Sequence, residues 1–196
     1  MFQRFGSLVG LSLDADAAYE ALFTEALAGE ADAGGLLAYN HLAGEPITGL
    51  TEGRPLFVRT PDSRLTLANT MRAQLYAVFG TLSLGMRVLA SEGVALDRMY
   101  AHGGMFRTAG VAQRFLAAAL NAPVGVAETA SEGGAWGMAL LAAYVGRDES
   151  LAEFLGQSIT QAVFTEPDAD DATGYATYLD RYSAGLAIEK TAVEVL

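Results

Sequence analysis

The sequence predicts an α/β layer architecture in which helices flank a sheet with some parallel pairing. Three observations carry that expectation. Strand-like and helix-like segments alternate after residue 55, which is the pattern of an α/β fold. Between Met99 and Val145 the order is strand, glycine-rich turn, helix, strand, and a second glycine-rich turn that opens an alanine-rich helix. Of the 196 residues 52% are hydrophobic and the mean hydropathy is positive, so the chain can bury a substantial core and disorder is disfavoured.

The elements follow in chain order. Residues 5–13 (FGSLVGLSL) read as a strand or a tight pair of strands. Asp14 or Asp16 then caps an alanine-rich helix carrying Tyr19, Leu22, Phe23, Ala26 and Leu27 at helical spacing, and Gly29 ends it. A second apolar run covers 36–43, turn residues fill 46–54, and 55–59 read as a strand before the turn Pro61-Asp62-Ser63. The longest periodic segment, from about Leu67 to Glu92, carries Met71, Leu75, Val78, Phe79, Leu82, Met86 and Leu89, with Gly93 just beyond: a long, largely buried helix. Further helices are predicted at 108–120, 134–144 and 148–163. The acidic stretch 166–171 reads as a solvated turn, because its spacing lacks the glycine and final glutamate of a calcium loop. Tyr175, Tyr178, Leu179 and Tyr182 then make an aromatic face on a last helix. No repeat or linker divides the chain, so residues 1–196 are expected to form a single domain.

Composition excludes several function classes. With 23 acidic against 12 basic residues and a net charge of −11, the surface repels a phosphodiester backbone, so nucleic acid is not an expected partner. No cysteine means no disulfide, thiolate metal site or thiol nucleophile, which fits a cytoplasmic protein. His41 and His102 are the only histidines and no ligand spacing surrounds them, so no metal site is expected. The first residues do not read as a signal peptide, and no run of about 20 uninterrupted apolar residues suggests a membrane span.

The candidate site is the turn His102-Gly103-Gly104-Met105. Paired glycines after a strand let a flat ligand or a phosphate approach the backbone, since no Cβ intervenes and φ is free to be positive. The helix that follows presents unpaired N–H groups to negative charge. The same glycines also suit an ordinary strand-to-helix turn. His102 either stacks near a ligand or holds the strand end, and Met105 is either a ligand wall or core. Glu132 is placed to cap the helix it opens, and Trp136 to pack in the core.

Four stretches in register resemble the C-terminal half of the FGGY family of carbohydrate kinases. GGLLAYNHLAGEP from Gly34 is similar to the family's "GGL…L.GER.P" run. Arg72-Ala73, Phe79-Gly80 and Met86-Arg87 follow its "RA..EG.AF..R" helix, with Tyr76 where that helix has glutamate. Tyr100-Ala-His-Gly-Gly-Met105 resembles the "GGGA" adenosine turn, with Gln113 in the next helix, and EGGAWGMALLAA from Glu132 resembles "E..ALGAA.LA". The tyrosine-bearing tail is similar to the family's ending as well.

The resemblance implies an actin-like, ribonuclease-H-like ATPase domain with a mixed sheet flanked by helices. It implies ATP and Mg²⁺ as cofactors and a sugar as acceptor, a pentulose such as xylulose or ribulose. It places Gly103 and Gly104 against the nucleotide, Met105 on the adenine side and Thr108 where related kinases carry asparagine. Thr60 corresponds to the threonine of a "GLT" turn, with Val58-Arg59 replacing its first two residues. The family's catalytic aspartate, sugar pocket and first phosphate turn belong to an N-terminal half that is not visible here, and its second phosphate turn, at the start of the C-terminal half, is expected to fall before Met1, so no catalytic residue is assigned. That missing half is the expected partner, alongside self-association through an apolar patch around the N-terminal strand. A non-catalytic actin-like assembly or regulatory module is the alternative, and a small-ligand binding protein a weaker one.

Overall fold

A computed structural model gives the fold for residues 2–158 and 161–196. Its centre is the long helix α3 (Leu67–Ser91), which packs against α2 (Ala15–Glu25), strand β1 (Leu37–Tyr39), α4 (Val111–Leu120) and α7 (Ala169–Val195). Thr66 caps α3, its side chain accepting from the Asn69 N–H, and Gly93 at φ +78° closes it with Val94 N–H bonded back to Leu89 O at 3.1 Å. By length and composition α3 passes for a membrane-crossing helix. Its neighbours are protein, and it carries buried Asn69 and Arg72, both hydrogen-bonded within the fold.

Two small sheets flank this helix core. β1 pairs antiparallel with β2 (Leu56–Val58). The second sheet has the order β3-β4-β5: β3 (Met99–Tyr100) runs parallel to β4 (Val124–Val126), which is antiparallel to β5 (Val163–Thr165). α4 makes the crossover between the parallel strands and lies on one face of the sheet. There the buried Gln113 donates to Val124 O at 2.7 Å and Val163 O at 2.8 Å, tying two strands to one helix. The mixed sheet flanked by helices is as expected, and it is small. α5 (Gly133–Tyr144) and α6 (Leu151–Ser158) lie between β4 and β5 in sequence.

The core is unusually rich in tyrosine. Tyr39, Tyr76, Tyr175, Tyr178 and Tyr182 are almost fully buried, with Tyr39 stacked on Tyr182 at 4.7 Å between ring centroids. Each hydroxyl is hydrogen-bonded: Tyr39 to Tyr182 O at 2.8 Å, Tyr178 to Ala73 O at 3.2 Å, Tyr76 to Ala31 O at 3.0 Å. Burial therefore leaves no orphan polar group at these rings. Desolvation raises the phenol pKa of all five, that of Tyr76 to about 12.

Several expectations are corrected. The N-terminal segment is the helix α1 (Phe2–Leu8) and not a strand. Its end is a Schellman turn in which Gly10 has φ +82° and the Leu11 N–H bonds Gly6 O at 2.9 Å. A short apolar run has no period that separates strand from helix, and among the described residues no strand pairs with it. The acidic stretch 166–171 is no solvated turn throughout: Asp168 caps α7, while Asp171 is buried against Arg72 and Arg114. Trp136 is not core but 39% exposed, because α5 packs mainly on α6 and the turn before it.

Candidate functional site

The strand β3 delivers the chain to His102 and then to Gly103, whose φ of +122° and ψ of 165° suit only glycine. Its N–H donates to Ala130 O at 2.7 Å and its carbonyl accepts from Phe106 N–H at 3.1 Å, which turns the backbone into a 3₁₀ turn over Gly104–Arg107. Gly104 differs in kind. Its φ is ordinary and nothing in the protein occupies the space that a Cβ would fill, so the fold itself does not demand glycine there.

Gly104 opens onto a cavity of about 650 Å³, within the size range of small-molecule sites. Met105, Arg107, Thr108 and Ala109 continue one wall; Asp16, Tyr19, Glu20 and Phe23 of α2 form the other. The latter four recur at i, i+3, i+4 and i+7, so they share one helix face. Asp14 starts that helix, its carboxylate accepting from Ala17 N–H at 2.8 Å. Tyr19 and Phe23 meet edge to face at 6.4 Å, so an aromatic row runs beside the row of the carboxylates Asp16 and Glu20.

The structure thus brings together Gly104, Met105 and Thr108, with Gly103 shaping the turn behind them. Thr60 does not join them. It lies in a separate pocket of about 390 Å³ with Gly34, Gly35 and Arg181, where its hydroxyl donates to Asp62 at 2.5 Å and holds that carboxyl below its usual pKa. His102 backs the turn: a Cβ on Gly133 would stand 2.8 Å from its ring carbon, so the glycine makes room for the imidazole. Glu132 caps nothing with its side chain and pairs with Arg107 at 2.8 Å, linking the two glycine-rich turns across the surface.

Sequence reasoning missed the α2 wall and Arg107. The signal lies in the 16, 19, 20, 23 spacing, whereas the sequence reading groups Tyr19 and Phe23 with Leu22, Ala26 and Leu27; Tyr19 is 62% exposed. Also missed was the ionic network that fixes α4. Buried Arg72 contacts Asp171 and donates to Gly29 O at 2.8 Å and Tyr76 Oη at 2.9 Å, while Arg114 Nε reaches the other Asp171 oxygen at 2.5 Å. Tyr76, where the related helix has glutamate, is thereby a hydrogen-bonded member of this network. Among the described residues no group of three or more histidines or acids could hold a metal ion.

A domain of this architecture, with a glycine turn at the mouth of a strand and a cavity beside it, has known counterparts. The profile of the FGGY family of carbohydrate kinases, C-terminal domain, matches residues 4–145, and the chain belongs to that family. No curated protein matches it in sequence. Among solved structures, the xylulose kinase from Rhodospirillum rubrum is similar with a TM-score of 0.64 at 24% identity, covering 89% of this chain and 34% of that one. The gluconate kinase from Lactobacillus acidophilus gives 0.70 at 21%, with 90% and 36% covered. The Plasmodium falciparum glycerol kinase with ADP gives 0.59 at 17%, with 91% and 34% covered. At these identities the likeness establishes the fold, and the chain spans about a third of the length of each kinase.

Proposed function

We propose that this chain is the ATP-binding half of a carbohydrate kinase that transfers the γ-phosphate of ATP to a sugar hydroxyl, with a pentulose such as xylulose or ribulose as acceptor. The observation that carries the reading is Gly104: a glycine whose Cβ would meet nothing in the fold, on the rim of a cavity of nucleoside size. Family membership supports the nucleotide class, and similarity to xylulose kinases supports the pentulose.

The cavity's chemistry suits the adenosine end better than the phosphates. Tyr19, Phe23 and Met105 offer apolar walls to a flat base, and Glu20 or Asp16 can accept from ribose hydroxyls. The same carboxylates would repel a polyphosphate held between them, so the phosphates would leave along the bare backbone of the glycine turn. Arg107 is the cation at that rim.

Among the described residues no cluster of carboxylates or histidines forms a cage for Mg²⁺. Alignment of the acceptor and removal of its proton fall to the remainder of the kinase, and this chain supplies the nucleotide platform. On that reading the chain alone binds nucleotide and transfers nothing.

Calorimetric titration with ADP tests it, comparing the chain with Gly104→Val. Since the added side chain meets open space, the variant should fold with an unchanged melting midpoint and bind ADP at least tenfold more weakly, about 1.4 kcal/mol. Absence of ADP binding at millimolar concentration, or equal binding by the variant, would overturn the proposal.

A further inference from the structure

We infer, resting on the nucleotide reading of the cavity, that Glu132 is an internal stand-in for nucleotide phosphate: its carboxylate holds Arg107 in the free protein, and the phosphates of a bound nucleotide displace it. Arg107 is the one cation among the residues lining the cavity, whose other charges are Asp16 and Glu20. Its Nη2 donates to Glu132 Oε1 at 2.8 Å, and neither side chain has another polar partner among the described residues. The two come from different elements, Arg107 from the 3₁₀ turn after Gly103 and Glu132 from the short turn before α5. The backbone under them is pinned. Gly103 N–H donates to Ala130 O at 2.7 Å, and Gly133 makes room for the His102 ring.

The place of Glu132 sets it apart from an ordinary surface partner. It stands at the N-cap of α5, where a carboxylate usually serves the exposed N–H groups of the first turn, yet its side chain makes no capping bond and reaches to Arg107 instead. On release the carboxylate has that helix end and water to turn to, so displacement strands no charge. The pair is also weakly held: Arg107 is 59% exposed and Glu132 64%, and an exposed pair shifts an equilibrium by about fivefold at most. A diphosphate carries more charge and more acceptor oxygens than one carboxylate, and the guanidinium fork suits it. While Glu132 neutralises Arg107, an incoming polyphosphate meets only the carboxylates of Asp16 and Glu20 on the facing wall. Glu132 therefore sets how strongly the cavity responds to ligand charge and leaves the neutral adenosine end untouched.

The experiment is calorimetric titration of the chain, Glu132→Gln, Arg107→Gln and the double variant with ADP and, separately, with adenosine. Glu132→Gln should bind ADP about two- to fivefold more tightly and Arg107→Gln about fivefold more weakly, because one change frees the guanidinium and the other removes it. Adenosine affinity should stay within about twofold throughout, and the gain from Glu132→Gln should vanish when Arg107 is also replaced. Melting midpoints should not move, since both side chains are exposed. A loss of adenosine binding equal to that of ADP in Arg107→Gln would make Arg107 a wall residue and overturn the inference. No gain from Glu132→Gln would overturn it too, as would a gain that persists without Arg107, which would mark a general field effect; the nucleotide reading would survive all three. Absence of ADP binding by the unaltered chain would overturn the nucleotide reading itself, and this inference with it.

Discussion

Asp171→Asn should be the most damaging single change in the frame that holds the nucleotide-side helix. Arg72 is 2% exposed and Asp171 3%, and the two contact each other while Asp171 also accepts from Arg114 at 2.5 Å. The amide keeps the size of the side chain but removes the charge, leaving a guanidinium in the core with neutral acceptors alone: the amide oxygen, Gly29 O and Tyr76 Oη. Breaking one side of such a pair costs about 3 to 5 kcal/mol, because the remaining charge has lost its water without compensation. Against a total stability of about 5 to 15 kcal/mol this is a fifth or more. In guanidinium chloride, with a slope near 4 kcal/mol/M, the midpoint should fall by about 1 M. The double variant Arg72→Met with Asp171→Leu should recover most of the loss, since it removes both charges and keeps the volume. A drop below about 0.3 M for Asp171→Asn would refute the reasoning and show that water reaches the pair.

Three further outcomes follow from particular contacts. Asp14→Ala removes the carboxylate that caps α2 and should cost about 1 kcal/mol in denaturant unfolding, with weaker ADP binding because the same helix forms one cavity wall. Thr60→Ala should leave ADP affinity within about twofold of the unaltered chain in calorimetry, because Thr60 lines a different pocket. Alkaline pH should destabilise the fold through the tyrosine core. The folded phenols have pKa values raised above 10, so their stabilisation is complete below pH 10. It is then lost as pH rises toward 12, by up to about 1.4 kcal/mol per tyrosine per pH unit. Unfolding midpoints from pH 8 to 11.5, read alongside tyrosinate absorbance, check this; a midpoint flat to pH 11.5 would show that the rings are hydrated.

Periodicity and turn chemistry are local properties, and what depends on them alone was legible in the chain. α3 was expected over 67–92 and spans Leu67–Ser91, because twenty-five residues of apolar period with glycine beyond them admit no other structure. The strand-turn-helix-strand order at 99–126 and the aromatic face of Tyr175, Tyr178 and Tyr182 were equally plain. Residues 5–13 were not, since nine apolar and small residues fit a strand or a helix until the surroundings provide or withhold a strand partner.

Other features belong to the tertiary structure alone. Asp171 sits in an acidic run that looks solvated, and only the arrival of Arg72 from 99 residues away and Arg114 from 57 makes it a buried anchor. Tyr19 and Phe23 have the spacing of a core face, yet the turn at Gly104 stops short of them and the gap becomes the cavity. Trp136 has the chemistry of a core residue on a helix for which this chain supplies no full covering layer. Spacing along a chain fixes which side chains share a face, because the helix repeat is local. What that face meets depends on elements dozens of residues distant, and so the sequence by itself determined the elements and the glycine turn, while the packing of α2, α3, α4 and α7 decided which residues became core, cavity wall or open surface.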